Sequence, residues 1–396
     1  MRQKESKDFM GINNLAVSLF KQIRKVNKEN IVCSPFGVAA ICRILADGAN
    51  GKTKEELEDI VGLSSEEMSS IISDILKPIC VDKRTLTWYE KEQLTKALTI
   101  KVANFIAVNK VYPIKPAYIS DVQSLYNAKV EGLDFTSDAS ANYINEWCSK
   151  NTNGLVDHIV DKLTNDMLMC ALNALYLKGS WVNEFKAFFT HNESFTTENG
   201  NKIEVEMMRQ EDDFRYSENR VFKRIALPYI PRFCKDGKQE HFAMYVLLPV
   251  RGNNIDDIVV FLEEKSISSV VNNTQTTYDV KVKLPKFESE SELDLLDMLK
   301  KLGVTHLDKD ADFKGISELA LGLSACKQKT KIKVNESGTE AAAVTFAIPG
   351  AGCAPGEIEQ SYKTFYADHP FIYMIVNEET HIVYFMGQYT GNESKN

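Results

Sequence analysis

The first apolar positions of the chain, Phe9, Ile12, Leu15, Ala16, Leu19, Phe20 and Ile23, recur at spacings of three and four or close to it. That period places them on one face of a helix, preceded by the charged residues Arg2, Lys4, Glu5, Lys7 and Asp8. The pattern predicts an amphipathic helix, not the continuous apolar core of a secretion leader. Ile31-Val32-Cys33 then reads as a short strand, and Ser34-Pro35 suits a helix start because proline fits the first helical turn. Val38–Leu45 has the composition of a buried helix, and the capping-box pattern Thr53-Lys54-Glu55-Glu56 predicts that another helix opens there.

Further along, the pattern changes to that of strands. Leu172–Leu177, Phe242–Leu248, Phe371–Val376 and Ile382–Met386 are apolar runs bounded by Gly, Pro or Asn, which predicts strands. Val280–Leu284 and Lys331–Val334 alternate apolar with polar, as half-buried strands do. Glu292–Leu302 returns to helix, with Leu295, Leu296, Leu299 and Leu302 on one face and Gly303 as its stop. No Pro- or Ser-rich linker separates the helical first third from the strand-rich second half, and no repeat is visible. The expectation is one α+β domain spanning residues 1–396, with helices packed on large sheets.

Composition narrows the function classes. With 44% hydrophobic and 26% charged residues, the 396-residue chain is ordinary globular protein. Its apolar stretches, Ala341–Ile348 with Thr345 inside it and Phe242–Leu248 among them, fall far short of the roughly 20 residues a membrane-spanning helix needs. The net charge is −8 and Lys and Arg are scattered, with no adjacent run longer than two, which argues against nucleic acid as a partner. Without a leader, the expected location is cytoplasmic, or extracellular after unconventional export. Eight cysteines include Cys33, Cys42 and Cys170 within apolar stretches, no CxxC occurs, and no Cys/His pair has zinc spacing. Reduced thiols are therefore expected, with Cys353 exposed among Pro and Gly. Gly48 and Gly51 stand too close together for a phosphate loop, and neither GxSxG nor HExxH surrounds any Ser or His. Nothing calls for a metal or cofactor, and nothing positive supports a hydrolase.

One segment stands out, from Asn335 to Gly350. Read as a strand, Thr339, Ala341, Ala343, Thr345 and Ala347 form a face of small residues, while Glu340, Ala342, Val344, Phe346 and Ile348 form the other. Small side chains suit a strand that enters a crowded sheet. Alanine is also a good helix former and a poor strand former, so from these residues alone a helix with a loose Pro/Gly-rich loop behind it stays open.

The segment resembles the hinge of an inhibitory serpin's reactive-centre loop: Glu336, Gly338, Thr339, Glu340, Ala341, Ala342, Ala343 and Thr345 match the family pattern position by position. Further motifs fit in order along nearly the whole chain. They include Asn30–Pro35 with Leu45–Gly48, Asn173–Trp181, Phe185 with Thr190 and Phe195, Val205–Met208 and Leu227-Pro228-Tyr229. Leu248-Pro249, Leu284–Phe287, Ala311-Asp312-Phe313 and Ala367–Phe371 complete the series. The resemblance implies a serpin fold of three sheets and about nine helices, metastable and monomeric, with an exposed loop near residues 338–362. It implies a suicide inhibitor rather than an enzyme. A serine protease cleaves the loop and forms an acyl-enzyme, and the hinge then enters the main sheet as a new strand. About 15 inserted residues at roughly 3.3 Å each would drag the protease on the order of 50 Å, enough to distort the oxyanion hole that supports deacylation.

The resemblance also implies a polar cluster beneath the opening of the sheet, to which Ser34, Asn173 and Gln328 correspond. Two positions depart from the family: Gln328 stands where His is usual, and Gly37 where a second Ser is common. Gln328 keeps hydrogen-bonding capacity without a titratable group. Counting seventeen positions from Glu336 puts the scissile bond between Gly352 and Cys353, whereas counting back from His369-Pro370 puts it near Glu357–Glu359. The hinge count is preferred, because hinge length sets how far the protease is dragged. The small residues Ala351 and Gly352 then imply elastase-like or chymotrypsin-like targets. The alternatives are a non-inhibitory serpin acting as carrier or chaperone, and a cross-class inhibitor of cysteine proteases. The absence of bulky or Pro residues on the small face of the hinge speaks for inhibition.

Overall fold

The computed structural model describes residues 10–76, 87–233, 239–272, 275–339 and 362–391. The helices among them are α1 (Met10–Val26), α2 (Pro35–Asp47), α3 (Gly51–Val61), α4 (Ser65–Leu76), α5 (Trp88–Lys96), α6 (Pro116–Tyr126), α7 (Asp138–Asn151), α8 (Ile255–Val271) and α9 (Leu295–Lys301). The strands are β1 (Ile31–Cys33), β2 (Thr99–Asn109), β3 (Lys129–Leu133), β4 (Met169–Ser180), β5 (His191–Thr196), β6 (Lys202–Glu218), β7 (Phe222–Pro228), β8 (Arg232–Phe233) and β9 (Gln239–Glu240). They continue with β10 (Phe242–Pro249), β11 (Thr277–Pro285), β12 (Phe287–Asp294), β13 (Leu323–Asn335), β14 (Gly338–Thr339), β15 (Lys363–Tyr366), β16 (Phe371–Asn377) and β17 (Val383–Tyr389).

A six-stranded sheet in the order β12-β13-β14-β4-β2-β3 forms the scaffold of the site, and β13 also pairs directly with β4. Alternation along β4 divides its side chains between two cores. Met169, Ala171, Leu175 and Leu177 face the main core, shared with α1 and α2, whereas Cys170, Leu172 and Ala174 join Ala141, Ile144 and Cys148 of α7 in a second one. Because both faces are covered, the strand reads as a continuous apolar run. On β13 the alternation is polar-out instead. Gln328, Thr330, Ile332 and Val334 are buried, while Lys327, Lys329 and Lys331 turn outward to Glu292, Glu290 and Glu288 of β12. The helix α2, buried along Pro35–Ala46, packs between β4 and β17.

A second, nine-stranded sheet runs β1-β17-β16-β10-β7-β6-β11-β15, with β5 on β6. Two of the three expected sheets are joined here through β6, which pairs with β11 along Met207–Phe214 and with β7 along Arg215–Glu218. β8 and β9 form a separate ribbon.

Two local expectations are corrected. The helix expected at the Thr53 capping box starts earlier, at Gly51, and the Thr53 hydroxyl accepts from Asp312 N at 2.9 Å. The Glu56 carboxylate is likewise spent on Thr305 N and His306 N. Glu292–Asp294, expected as helix, belong to β12, because each lies opposite a residue of β13 and Glu292 pairs with Lys327. Asp294 then caps α9 by accepting from Leu296 N. Of the cysteines, Cys33, Cys42, Cys148, Cys170 and Cys326 are free and buried, and burial pushes the thiols of Cys33, Cys42, Cys148 and Cys170 up to about 12. Cys80, Cys234 and Cys353 lie outside the described residues.

His369, between β15 and β16, bonds Asp368 Oδ1 through Nδ1 at 2.7 Å and Pro249 O through Nε2 at 2.9 Å. Burial works against the charged ring and Lys223 adds to that, but the two hydrogen bonds and the Asp368 charge outweigh them and raise its pKa. A folded pKa above the free-chain value means that the contribution is fully present below about pH 6.5 and is lost as pH rises through the raised value. His369→Gln is therefore expected to lower the thermal midpoint more at about pH 5.5 than at about pH 8.5, read by calorimetry at both; equal losses would refute the assignment.

Candidate functional site: hinge seat and sheet seam

The end of β13 folds back on itself. Asn335 Oδ1 accepts from Ser337 N at 3.0 Å and Gly338 N at 3.2 Å, which reverses the chain into β14. β14 lies antiparallel to β13, with Thr339 opposite Val334 and Gly338 opposite Asn335. On its other side it lies antiparallel to β4, with Gly338 opposite Ser180 and Thr339 opposite Gly179. The two hinge residues thus form a short central strand. Position 338 requires glycine: its φ is +151°, and an added Cβ would sit 2.1 Å from Gly179 O.

Thr339 is fully buried. Its hydroxyl lies 2.7 Å from the Tyr229 hydroxyl, and the Tyr229 ring stacks on Trp181 with centroids 4.6 Å apart. Burial raises the Tyr229 phenol, so it stays neutral. Trp181 holds the turn from above, through Nε1 to Asn335 O at 3.1 Å and through its backbone N to Ser337 O at 3.0 Å. Glu336 lies in the turn between β13 and β14. Its carbonyl accepts from Phe185 N at 2.9 Å, its carboxylate accepts from the Thr190 hydroxyl at 2.9 Å, and Lys286 Nζ lies 3.6 Å away. Of the other expected hinge residues, Glu340, Ala341, Ala342, Ala343 and Thr345 lie outside the described residues, as do Gly352 and Cys353.

Lower in the sheet the expected cluster comes together at a seam, where β13 pairs in parallel with β4 from Leu323 to Thr330. Gln328 is opposite Asn173, and its Nε2 donates to Asn173 Oδ1 at 2.7 Å and to Ser34 O at 2.9 Å. Gln328 Oε1 accepts from Ser34 N at 2.8 Å. Gln328 therefore clasps the backbone of Ser34, the residue whose hydroxyl caps α2 by accepting from Gly37 N. Asn173 passes the chain on by donating to Asn104 Oδ1 on β2 at 2.7 Å. Ser34, Asn173 and Gln328 are all fully buried, so each unmade bond would cost about 1–3 kcal/mol.

Asn104 and the role of Tyr229 were missed in the sequence. Asn104 carried a signal, since a lone Asn within Val102–Ile106 must find a buried partner. Tyr229 lies 110 positions from Thr339, and no local pattern links them. Among the described residues, no group of three or more His, Cys, Asp or Glu could hold a metal ion, and no helix is long and apolar enough to cross a membrane.

Residues 10–391 match the family described as Serpin (serine protease inhibitor). Human neuroserpin is 30% identical over 405 residues, covering 97% of this chain and 92% of neuroserpin. The crystal structure of Serpin48, a highly specific serpin of the insect Tenebrio molitor, is 27% identical, with a TM-score of 0.78 over 99% of this chain and 100% of that one. Human thyroxine-binding globulin complexed with thyroxine shares the fold at 22% identity, with a TM-score of 0.79 over 96% of this chain and 97% of that one. With the family pattern matched across nearly the whole length, and the hinge and seam built as described, the chain belongs to the serpin family.

Proposed function

We infer that the chain is a suicide-substrate inhibitor of serine proteases, taking elastase-like or chymotrypsin-like enzymes at a bond within residues 348–360, with Gly352–Cys353 the preferred cut. The observation that carries this reading is one of register. Thr339 is already opposite Val334 and Gly179. Carried on down the same pairing, Ala341 falls opposite Ile332 and Leu177, Ala343 opposite Thr330 and Leu175, and Thr345 opposite Gln328 and Asn173. Those last two pairs are the ones that β13 and β4 now make with each other. The seam can therefore open and admit a strand without either side changing register, and the residues turned toward the core are small.

Chemically, the loop presents a peptide bond to the protease serine, which attacks the carbonyl and forms the acyl-enzyme while the amine half departs. Insertion then adds a central strand with hydrogen bonds on both edges, each worth about 1 kcal/mol net. The acylated enzyme is carried with it, away from the geometry its deacylation needs. A carrier role is the second reading, since thyroxine-binding globulin shares the fold and is complexed with thyroxine. The small-faced hinge favours inhibition.

Incubation with a panel of serine and cysteine proteases, read by denaturing gel and intact mass, tests the inference. A covalent adduct with a serine enzyme, and a released peptide beginning at Cys353, are expected. A cysteine-protease adduct alone would replace the target class, and cleavage without any adduct would favour the carrier. Thr339→Arg places a charge in a fully buried seat, at a cost of several kcal/mol. It is expected to reduce adduct yield at least about tenfold, with cleaved chain accumulating instead. Unchanged yield would show that Thr339 does not face inward during insertion. Tyr229→Phe removes the partner of the Thr339 hydroxyl, worth about 1 kcal/mol. Faster amide exchange at Gly338 and Thr339 is the expected result, and unchanged exchange would mean the hydroxyl pair does not hold the seat.

A further inference from the structure

Gly37 lies in the first turn of α2, with the Ser34 hydroxyl accepting from its backbone N at 3.0 Å. Its φ is not positive, so glycine is not needed there for conformation. Helix propensity alone disfavours glycine against alanine within a helix. What stands in the way is side-chain space: a Cβ at position 37 would sit 2.2 Å from Asn173 Oδ1, 2.9 Å from Asn173 Cγ and 2.9 Å from Gln328 Nε2. The amide oxygen of Asn173 fills the missing methyl's place because Gln328 Nε2 holds it there at 2.7 Å. Gln328 in turn grips Ser34 N and O, so Ser34, Gln328, Asn173 and Gly37 close a ring across α2, β13 and β4.

We propose that Gly37 and Gln328 are a space-matched pair that seats the Asn173 amide and so keeps the seam between β13 and β4 closed, with Gly37 acting as a positioning residue. A reach the length of glutamine's draws Asn173 over α2, and only a residue without Cβ leaves room beneath it. Restoring a side chain at 37 pushes Asn173 off Gln328 and loosens the seam. Removing the Gln328 reach leaves the Asn173 side chain held only by its bond to Asn104, so its oxygen can shift off position 37 and relieve the clash. This inference rests on the reading that the seam opens to admit a strand.

A double-mutant cycle of Gly37→Ala and Gln328→Ser tests it on the full chain. Gly37→Ala is expected to lower the thermal midpoint by about 2 °C or more, where propensity alone would raise it. In the Gln328→Ser background the same change is expected to cost less than about half as much. Additive losses, or a raised midpoint in Gly37→Ala, would overturn the pairing. If Gly37→Ala does not fold, the double variant is expected to fold, and its failure would equally overturn the pairing. The seam is read with a synthetic peptide covering residues 338–350, followed by native gel and by fluorescence of the chain's tryptophans. Gly37→Ala should take it up at least about fivefold faster than the unmodified chain, and equal rates would refute the link to seam closure. Uptake by no variant would count against the insertion reading itself, while the thermal cycle still decides the pair.

Discussion

β13 and β4 are paired only as far as Thr330 and Leu175; above that point the hinge residues Gly338 and Thr339 lie between them, bonded to both. The rest of the molecule can be understood from this half-filled seam. β2 and β4 are buried on both faces and form one wall of it. β12 and β13 are laced on their outer face by lysine–glutamate pairs and form the other wall. Exposed ion pairs are individually weak, so the lacing matters as a network along the strand. Between the walls lie two hinge residues at the top and an uncharged polar cluster below.

That arrangement sets two free energies against each other. A further strand in the seam would gain backbone hydrogen bonds on both edges, on the order of 10 kcal/mol for a strand of about ten residues at about 1 kcal/mol each. Entry first requires the Leu323–Thr330 pairing to part and the Gln328–Asn173 bond to break, leaving buried amides unsatisfied on the way. The gain lies in the end state and the cost in the path, which is how a chain can hold a conformation short of its most stable one. Thr345 would arrive between Gln328 and Asn173, where a hydroxyl can take up bonds the amides lose.

Much of this was legible in the sequence. The alternation Lys331–Val334 was read as a strand from its period of two and lies in β13, and the apolar run Leu172–Leu177 was read as a strand from its composition and lies in β4. Ser34, Asn173 and Gln328 were placed by resemblance, and their bonds across 294 and 155 positions could not have come from local signals. Where local rules failed, a long-range partner had overruled them. Thr53 and Glu56 look like a capping box but serve Asp312, Thr305 and His306. Glu292–Asp294 looks like a helix start but lies opposite β13 as strand. Tyr229 and Asn104 gave no sign of their partners, because a buried hydroxyl or amide advertises that it needs one, not where it is.

The central claim is that the seam is built to accept the hinge and gains stability by doing so. Clean cleavage within residues 348–360 by a protease that is not trapped frees the hinge to enter, and the thermal midpoint before and after the nick reports the outcome. A rise of about 10 °C is expected, given a gain on the order of 10 kcal/mol in a chain of this size. An unchanged or lowered midpoint after complete cleavage would contradict the account, because the hinge would then have no lower state to reach.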